Sequence, residues 1–189
     1  MYSSTLLAAE SILVFGDSLS ASYGLESDQQ GWVALMQQQF QQDNQSPLIV
    51  NASLSGETTR GGVQRLGQLL KTHQPTIVIL ELGANDGLRG QPPKQMKANL
   101  QRMIDQSKAS GAKVLLLGMR APPNYGKRYT EYYDQVFPQL AQENSIALLP
   151  FLLDGVVLNR DMMQHDGIHP NAKAQPVMMK MVLKQLRLM

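Results

Sequence analysis

Thr76-Ile77-Val78-Ile79-Leu80-Glu81-Leu82-Gly83-Ala84-Asn85-Asp86-Gly87 is the stretch from which the fold can be read. Its first part is short, β-branched and apolar without a break for a polar face. That suits a strand covered on both sides in a parallel sheet rather than a helix. It then gives way at once to small and polar residues. Four further runs have the same character, at residues 12–15, 48–52, 113–118 and 146–149. Between them apolar residues recur at helical spacing: Trp32, Leu35, Met36 and Phe40; Val63, Leu66, Leu69 and Leu70; Met96, Leu100, Met103 and Ile104; Tyr133, Val136, Phe137 and Leu140; and Val177, Met178, Met181, Val182 and Leu186. Each stripe is wide enough to cover one sheet face, and the clustered methionines of the last read as core. Strand and helix thus alternate five times, which predicts an α/β fold, a doubly wound three-layer α/β/α sandwich with right-handed crossovers.

The chain has 189 residues, 43% hydrophobic and 17% charged, with a mass of 20.9 kDa and a mean hydropathy of −0.22. These values suit one domain over residues 1–189 and exclude disordered and collagen-like classes. Seventeen basic against 15 acidic residues leave a net charge of +2, too small an excess for a nucleic-acid footprint. No apolar run approaches the ~20 residues of a membrane span. The absence of cysteine removes disulfide frameworks, zinc–thiolate sites and thiol nucleophiles. Residues 1–10 read as an N-terminal extension or, from Leu6-Leu7-Ala8-Ala9, as the remnant of a signal peptide. The Gln-rich patch at 29–45 reads as a solvated helix face.

Ligands of an open parallel sheet bind beyond the carboxyl ends of its strands, and small polar residues collect there. Gly16-Asp17-Ser18-Leu19-Ser20 follows the first run, and Ser53-Leu54-Ser55-Gly56-Glu57-Thr58 the second. Arg120-Ala121-Pro122-Pro123-Asn124-Tyr125 follows the fourth, and His165-Asp166-Gly167-Ile168-His169-Pro170 precedes the last helix. Of three histidines, His73 falls where the second helix should end, a position suited to the helix dipole. His169 has Asp166 three residues before it across a glycine, so one turn can bring carboxylate to imidazole. A carboxylate on Nδ1–H leaves Nε2 as a base. Ser18 is the natural nucleophile for it, although a serine there could instead cap a helix. Backbone N–H groups at Ser18 and in the Ser55-Gly56 loop, with the Asn85 amide, could stabilise an oxyanion; Asn85 could also be a turn residue. His165, Asp166 and His169 could hold a metal only on a helix, which Gly167 and Pro170 oppose. The glycines at 62 and 67 have phosphate-loop spacing without the lysine.

Four blocks in order carry a family resemblance: Gly16-Asp17-Ser18-Leu19-Ser20, Gly56, Gly83-Ala84-Asn85-Asp86 and Asp166-Gly167-Ile168-His169-Pro170. Together they span nearly the whole chain and resemble the SGNH, or GDSL, hydrolases. Val50-Asn51-Ala52-Ser53, Glu81-Leu82-Gly83, Asn85-Asp86-Gly87-Leu88-Arg89-Gly90, Asn124-Tyr125-Gly126 and Leu148-Leu149-Pro150-Phe151 are similar to a bacterial branch of multifunctional esterases. The resemblance implies a flavodoxin-like sheet of order 2-1-3-4-5. It assigns Ser18 as nucleophile, His169 as base, Asp166 as its partner, and Ser18, Gly56 and Asn85 as the oxyanion hole. It implies hydrolysis of carboxylic esters and thioesters such as acyl-CoA, lysophospholipid or aryl esters, without metal or cofactor, by a monomer with a small-molecule substrate. Export to the periplasm or medium is implied too, with the cytoplasm left open. Residues 88–93 match a loop bordering the acyl groove, and Asp17, Leu19, Leu88, Arg120, Ala121 and Tyr125 are expected to contact substrate. Ala121 is smaller than expected there, and residues 24–31 lack a counterpart. Rival readings are a short-chain carbohydrate (acetyl) esterase and a flavodoxin-like phosphate-binding module using Ser18, Ser20 and Ser22.

Overall fold

The computed structural model describes residues 10–189. The expected extension or signal remnant therefore lies, for residues 1–9, outside the described residues. Strands β1 (Ser11–Gly16), β2 (Leu48–Asn51), β3 (Ile77–Glu81), β4 (Lys113–Leu117) and β5 (Ala147–Leu149) form one sheet in the order β2-β1-β3-β4-β5. Every pairing is parallel. Burial explains the composition of the runs. β3 is buried at every residue and β1 at all but its first, whereas the edge strand β2 has no buried residue.

Helices α1 (Trp32–Gln42) and α6 (Gln175–Leu186) pack together, while α2 (Thr59–His73), α4 (Pro93–Ala109) and α5 (Lys127–Asn144) lie side by side as a second layer. The sheet between them holds the core, with Leu13, Val14, Phe15, Val78, Ile79, Leu80, Leu115 and Leu116 fully shielded. The apolar stripes of α4 and α5 are buried in this core as the spacing predicts, while in those of α1 and α2 Leu35, Val63 and Leu69 are half-buried beside their buried neighbours. The α6 stripe is rotated from expectation. Met178, Met179, Val182 and Leu183 are buried, whereas Val177, Met181 and Leu186 are half-buried. The reason lies in Gln175, whose side-chain oxygen accepts the Trp32 N–H at 3.0 Å. Trp32 opens α1 and its N–H lacks an intrahelical partner, so this buried cap fixes how α6 turns against α1.

A short helix missing from the sequence reading, α3 (Ala84–Leu88), follows β3 directly. From β1 the chain crosses to β2 on one side and later returns to β3 on the other. The carboxyl ends of β1 and β3 therefore lie side by side where strand order reverses, which is where such sheets bind ligands. Among the described residues no helix is long and apolar enough to cross a membrane.

Candidate active site

Ser18 sits in the turn that leaves β1, half-buried, with the Ser20 and Ala21 N–H groups returning to the Asp17 carbonyl. No α-helix begins here. The first starts at Trp32, so Ser18 is not a helix cap. The turn is held from several sides: Trp32 Nε1–H donates to the Leu19 carbonyl at 3.1 Å and Asn51 Nδ2–H to the Ser20 carbonyl at 2.8 Å. The Ser18 hydroxyl is thus presented from a fixed backbone.

Residue 169 lies 151 positions further on, in a loop closed by an antiparallel bridge between Met163 and Pro170. Gly167 adopts φ +67°, the left-handed conformation the turn needs. Asp166 Oδ1 accepts the N–H groups of Ile168 and His169 at 2.9 and 3.0 Å, and Oδ2 lies 2.6 Å from His169 Nδ1. Nε2 then faces Ser18 Oγ at 2.9 Å. With Nδ1–H donated to the carboxylate, Nε2 carries a lone pair and accepts the serine proton. Desolvation alone would raise the Asp166 carboxyl. The hydrogen bonds from the His169 backbone, the His169 ring and the Ile168 N–H outweigh it and bring it down to about 2. A residue outside the expected set supports the loop from the far side: Tyr23 packs its ring 4.5 Å from the imidazole, and its carbonyl accepts Gln164 Nε2–H at 2.8 Å.

Asn85 lies in the first turn of α3, not in a loop, and its amide donates one hydrogen bond to Asp17 Oδ2 at 2.9 Å. The neighbouring Asp86 explains why five residues hold a helix. Its carboxylate is buried against α2, accepting the Thr59 N–H at 2.9 Å and the Thr59 hydroxyl at 2.6 Å. An acidic group at a helix N-terminus is favourable, and here it ties α3 to α2. Gly56 is at φ +79° in a turn closed by Glu57 N–H to the Leu54 carbonyl. Arg65 secures that loop by bonding Glu57 at 2.7 Å and the Ala52 carbonyl at 2.9 Å. Among the described residues, neither the Ser18 nor the Gly56 N–H finds a protein acceptor, and the Asn85 amide keeps one N–H to spare.

A groove of about 440 Å³ runs from Ser18, Asn85 and His169 along Leu19, Ala84, Leu88, Met119, Ala121, Phe151, Leu153, Val157, Leu158 and Ile168. Of the expected substrate contacts, Leu19, Leu88, Arg120 and Ala121 line it. Two do not. Asp17 is wholly buried beneath the turn, where its carboxylate accepts from Leu19 N–H and Asn85. Tyr125 stands outside the groove, and its hydroxyl donates to the Leu88 carbonyl at 2.8 Å, bracing the wall from behind. Arg120 lies over the Phe151 ring, 4.7 Å from its centre. Residues 24–31 contribute a short 3-10 turn at Asp28–Gln30, outside the groove.

Glu81, part of a family-like stretch, had no role in the sequence reading. This buried carboxyl group lies beside Gly16 across the β1–β3 register and accepts the Asp17 N–H at 3.1 Å and the Ser20 hydroxyl at 2.7 Å. The available signal was one acid inside a strand otherwise apolar. Burial pushes Glu81 well above the usual carboxylate range, with Asp17 adding to the rise. Burial also raises Asp17, against the pull of its Leu19 and Asn85 hydrogen bonds, to about 6.

Comparison with known proteins places this geometry. Residues 14–175 match the GDSL-like Lipase/Acylhydrolase family. The chain is 48% identical over 180 residues to Esterase TesA of Pseudomonas aeruginosa, covering 95% of this chain and 89% of that protein. It is 45% identical over 180 residues to the Thioesterase 1/protease 1/lysophospholipase L1 of Escherichia coli K12, covering 95% and 85%. The crystal structure of the psychrotrophic esterase EstA from Pseudoalteromonas sp., inhibited by monoethylphosphonate, superposes with a TM-score of 0.90 at 40% identity, covering 94% of this chain and 97% of that one. A match over most of the length, with relatives far above 30% identity, leaves one assignment: the chain belongs to the GDSL-like lipase/acylhydrolase family.

Proposed function

We propose that this protein is a serine esterase and thioesterase that hydrolyses acyl esters and thioesters through an acyl-Ser18 intermediate. The observation that carries the reading is the unbroken line from Asp166 Oδ2 to His169 Nδ1 and from Nε2 to Ser18 Oγ, ending at the mouth of an apolar groove. Ser18 Oγ attacks the acyl carbonyl as its proton passes to His169 Nε2, and Asp166 balances the imidazolium. The new oxyanion is held by the Ser18 and Gly56 N–H groups and the second Asn85 amide proton. Collapse expels the alkoxide or thiolate, which takes the proton from His169. Water then adds to the acyl-serine by the same route and frees the acid. Every step uses a group of the chain or water.

The groove suits an acyl chain, and the names of the relatives extend the substrate range to thioesters, lysophospholipids and aryl esters. An acetylated sugar would leave the apolar walls empty, and a phosphate-binding module would leave Asp166 and His169 without a task. The reading includes a monomer that acts in the periplasm or medium, in keeping with the resemblance; cell fractionation checks the location. A fluorophosphonate probe and p-nitrophenyl butyrate test the chemistry. One adduct on the Ser18 peptide, with matching loss of esterase activity, is expected. Full turnover in Ser18→Ala would overturn the reading.

A further inference from the structure

The mechanism above leaves one buried acid without a role. Glu81 sits at the end of β3 with its side chain under the nucleophile turn, fully shielded from solvent. Its Oε2 collects two donors, the Asp17 N–H and the Ser20 hydroxyl, which flank Ser18 in sequence. Its Oε1 is buried and has no partner. The fit is close: a Cβ on Gly16 would collide with Glu81 Oε2 and with Ser20 Oγ. The glycine that opens the first motif is therefore required by the acid beneath it.

A second carboxyl group, Asp17, adjoins the first, and among the described residues no lysine or arginine pairs with either. Two like charges in one shielded pocket are not sustained together. The hydrogen bonds decide which is ionised. Both Asp17 oxygens accept a donor, Leu19 N–H at 3.0 Å and Asn85 Nδ2–H at 2.9 Å, as an anion requires. Glu81 has one oxygen satisfied and one bare, an arrangement that penalises an anion far more than a neutral acid.

We propose that Glu81 is a positioning residue for the hydrolysis: in its uncharged form it clamps the Asp17-Ser18 backbone from below and leaves the one charge of the pair on Asp17, which aims the Asn85 amide at the oxyanion. The acid touches no substrate and acts through the turn and through Asp17. Ionising it would set a second negative charge against Asp17, drawing a proton onto that residue or pushing the turn apart. The other titratable groups acting on this pair are His169, which favours the Asp17 anion, and Asp86, which opposes it. The inference rests on the Ser18 reading.

Glu81→Gln and Glu81→Ala, compared by kcat, KM, pH profile and infrared spectrum, test it. Glutamine reproduces the neutral acid, with its carbonyl oxygen taking both donors. Wild type should lose activity once the pH is high enough to ionise Glu81, whereas Glu81→Gln should keep kcat within about twofold and lack that fall. Glu81→Ala should lower kcat by at least about tenfold with KM nearly unchanged, since the groove is untouched. In 13C-glutamate-labelled protein at neutral pH, a protonated-carboxyl stretch should be present in wild type and absent in Glu81→Gln. Equal impairment of Gln and Ala variants, an unimpaired Ala variant, or no such band would each overturn the proposal. If Glu81→Ala does not fold, the conservative variant and the spectrum still decide. Turnover in Ser18→Ala would remove the hydrolase reading instead, while the infrared band reports the Glu81 proton whatever the reaction.

Discussion

Asp17 holds a charge where the fold would do better without one. Its folded value of about 6 exceeds the ordinary 3.8, so between those pH values the native state keeps a proton that the unfolded chain has lost. Stability should therefore fall as pH rises from about 4 to about 6, by on the order of 3 kcal/mol from this group, with the raised Glu81 carboxyl adding a fall of the same sign that continues to higher pH. Urea unfolding across that range reads the slope, which Asp17→Asn should make shallower while the Glu81 part remains. Asn85 is the residue the charge serves. Asn85→Ala removes an amide proton meant for the oxyanion and should reduce kcat roughly 10²–10³-fold; near-wild-type kcat would take Asn85 out of that role. Ser18, Asp166 and His169, singled out from motif and spacing, are brought within hydrogen-bond reach in the fold. That Asp17 and Tyr125 lie outside the groove could not be read beforehand, because adjacency along the chain does not say which side of a turn a side chain takes. Glu81 was unreadable for another reason: a lone acid in an apolar run gains meaning only when the neighbouring strand supplies its donors.

At the level of single elements, α2 offers a comparison within one helix. Gly62 faces the sheet, and a Cβ there would come within 2.6 Å of Leu82 Cδ1 and 3.0 Å of Met103 Sδ, whereas Gly67 has nothing within 4 Å. Helix propensity alone treats the two alike. Gly67→Ala should stabilise by about 0.5–1 kcal/mol, and Gly62→Ala should destabilise by roughly 1–3 kcal/mol through overpacking. Thermal melts of both variants check the opposite signs. The five strands were legible as unbroken apolar runs, and the five longer helices from apolar residues recurring at helical spacing. α3 was not. Its five residues, Ala84-Asn85-Asp86-Gly87-Leu88, have the composition of a turn, and what makes them helical is the Asp86 carboxylate bound to Thr59, a contact 27 positions away. The rotation of α6 escaped prediction likewise, since Gln175 acts as core only because Trp32 needs an acceptor.

Across the whole molecule, the groove is assembled from the loops after β1, β3, β4 and β5 and from the histidine loop, so no single segment announces its shape. Its outer lip is apolar: Leu158 is 95% exposed, and Val157, Ile168 and Leu88 are partly so. A long acyl chain lying along the groove would reach this lip and an acetyl group would not. Leu158→Ser should raise KM for long-chain p-nitrophenyl esters roughly threefold to tenfold and leave p-nitrophenyl acetate unchanged; equal effects on both would place the chain elsewhere. The distance in sequence between Ser18 and its imidazole partner has a consequence in time. A ribosome delivers residue 18 early and residue 169 late, with the sheet that joins them completed in between. On the reading proposed above, a growing chain therefore carries a nucleophile but no base through most of its synthesis. On that reading the hydrolase stays inert until the fold is almost finished.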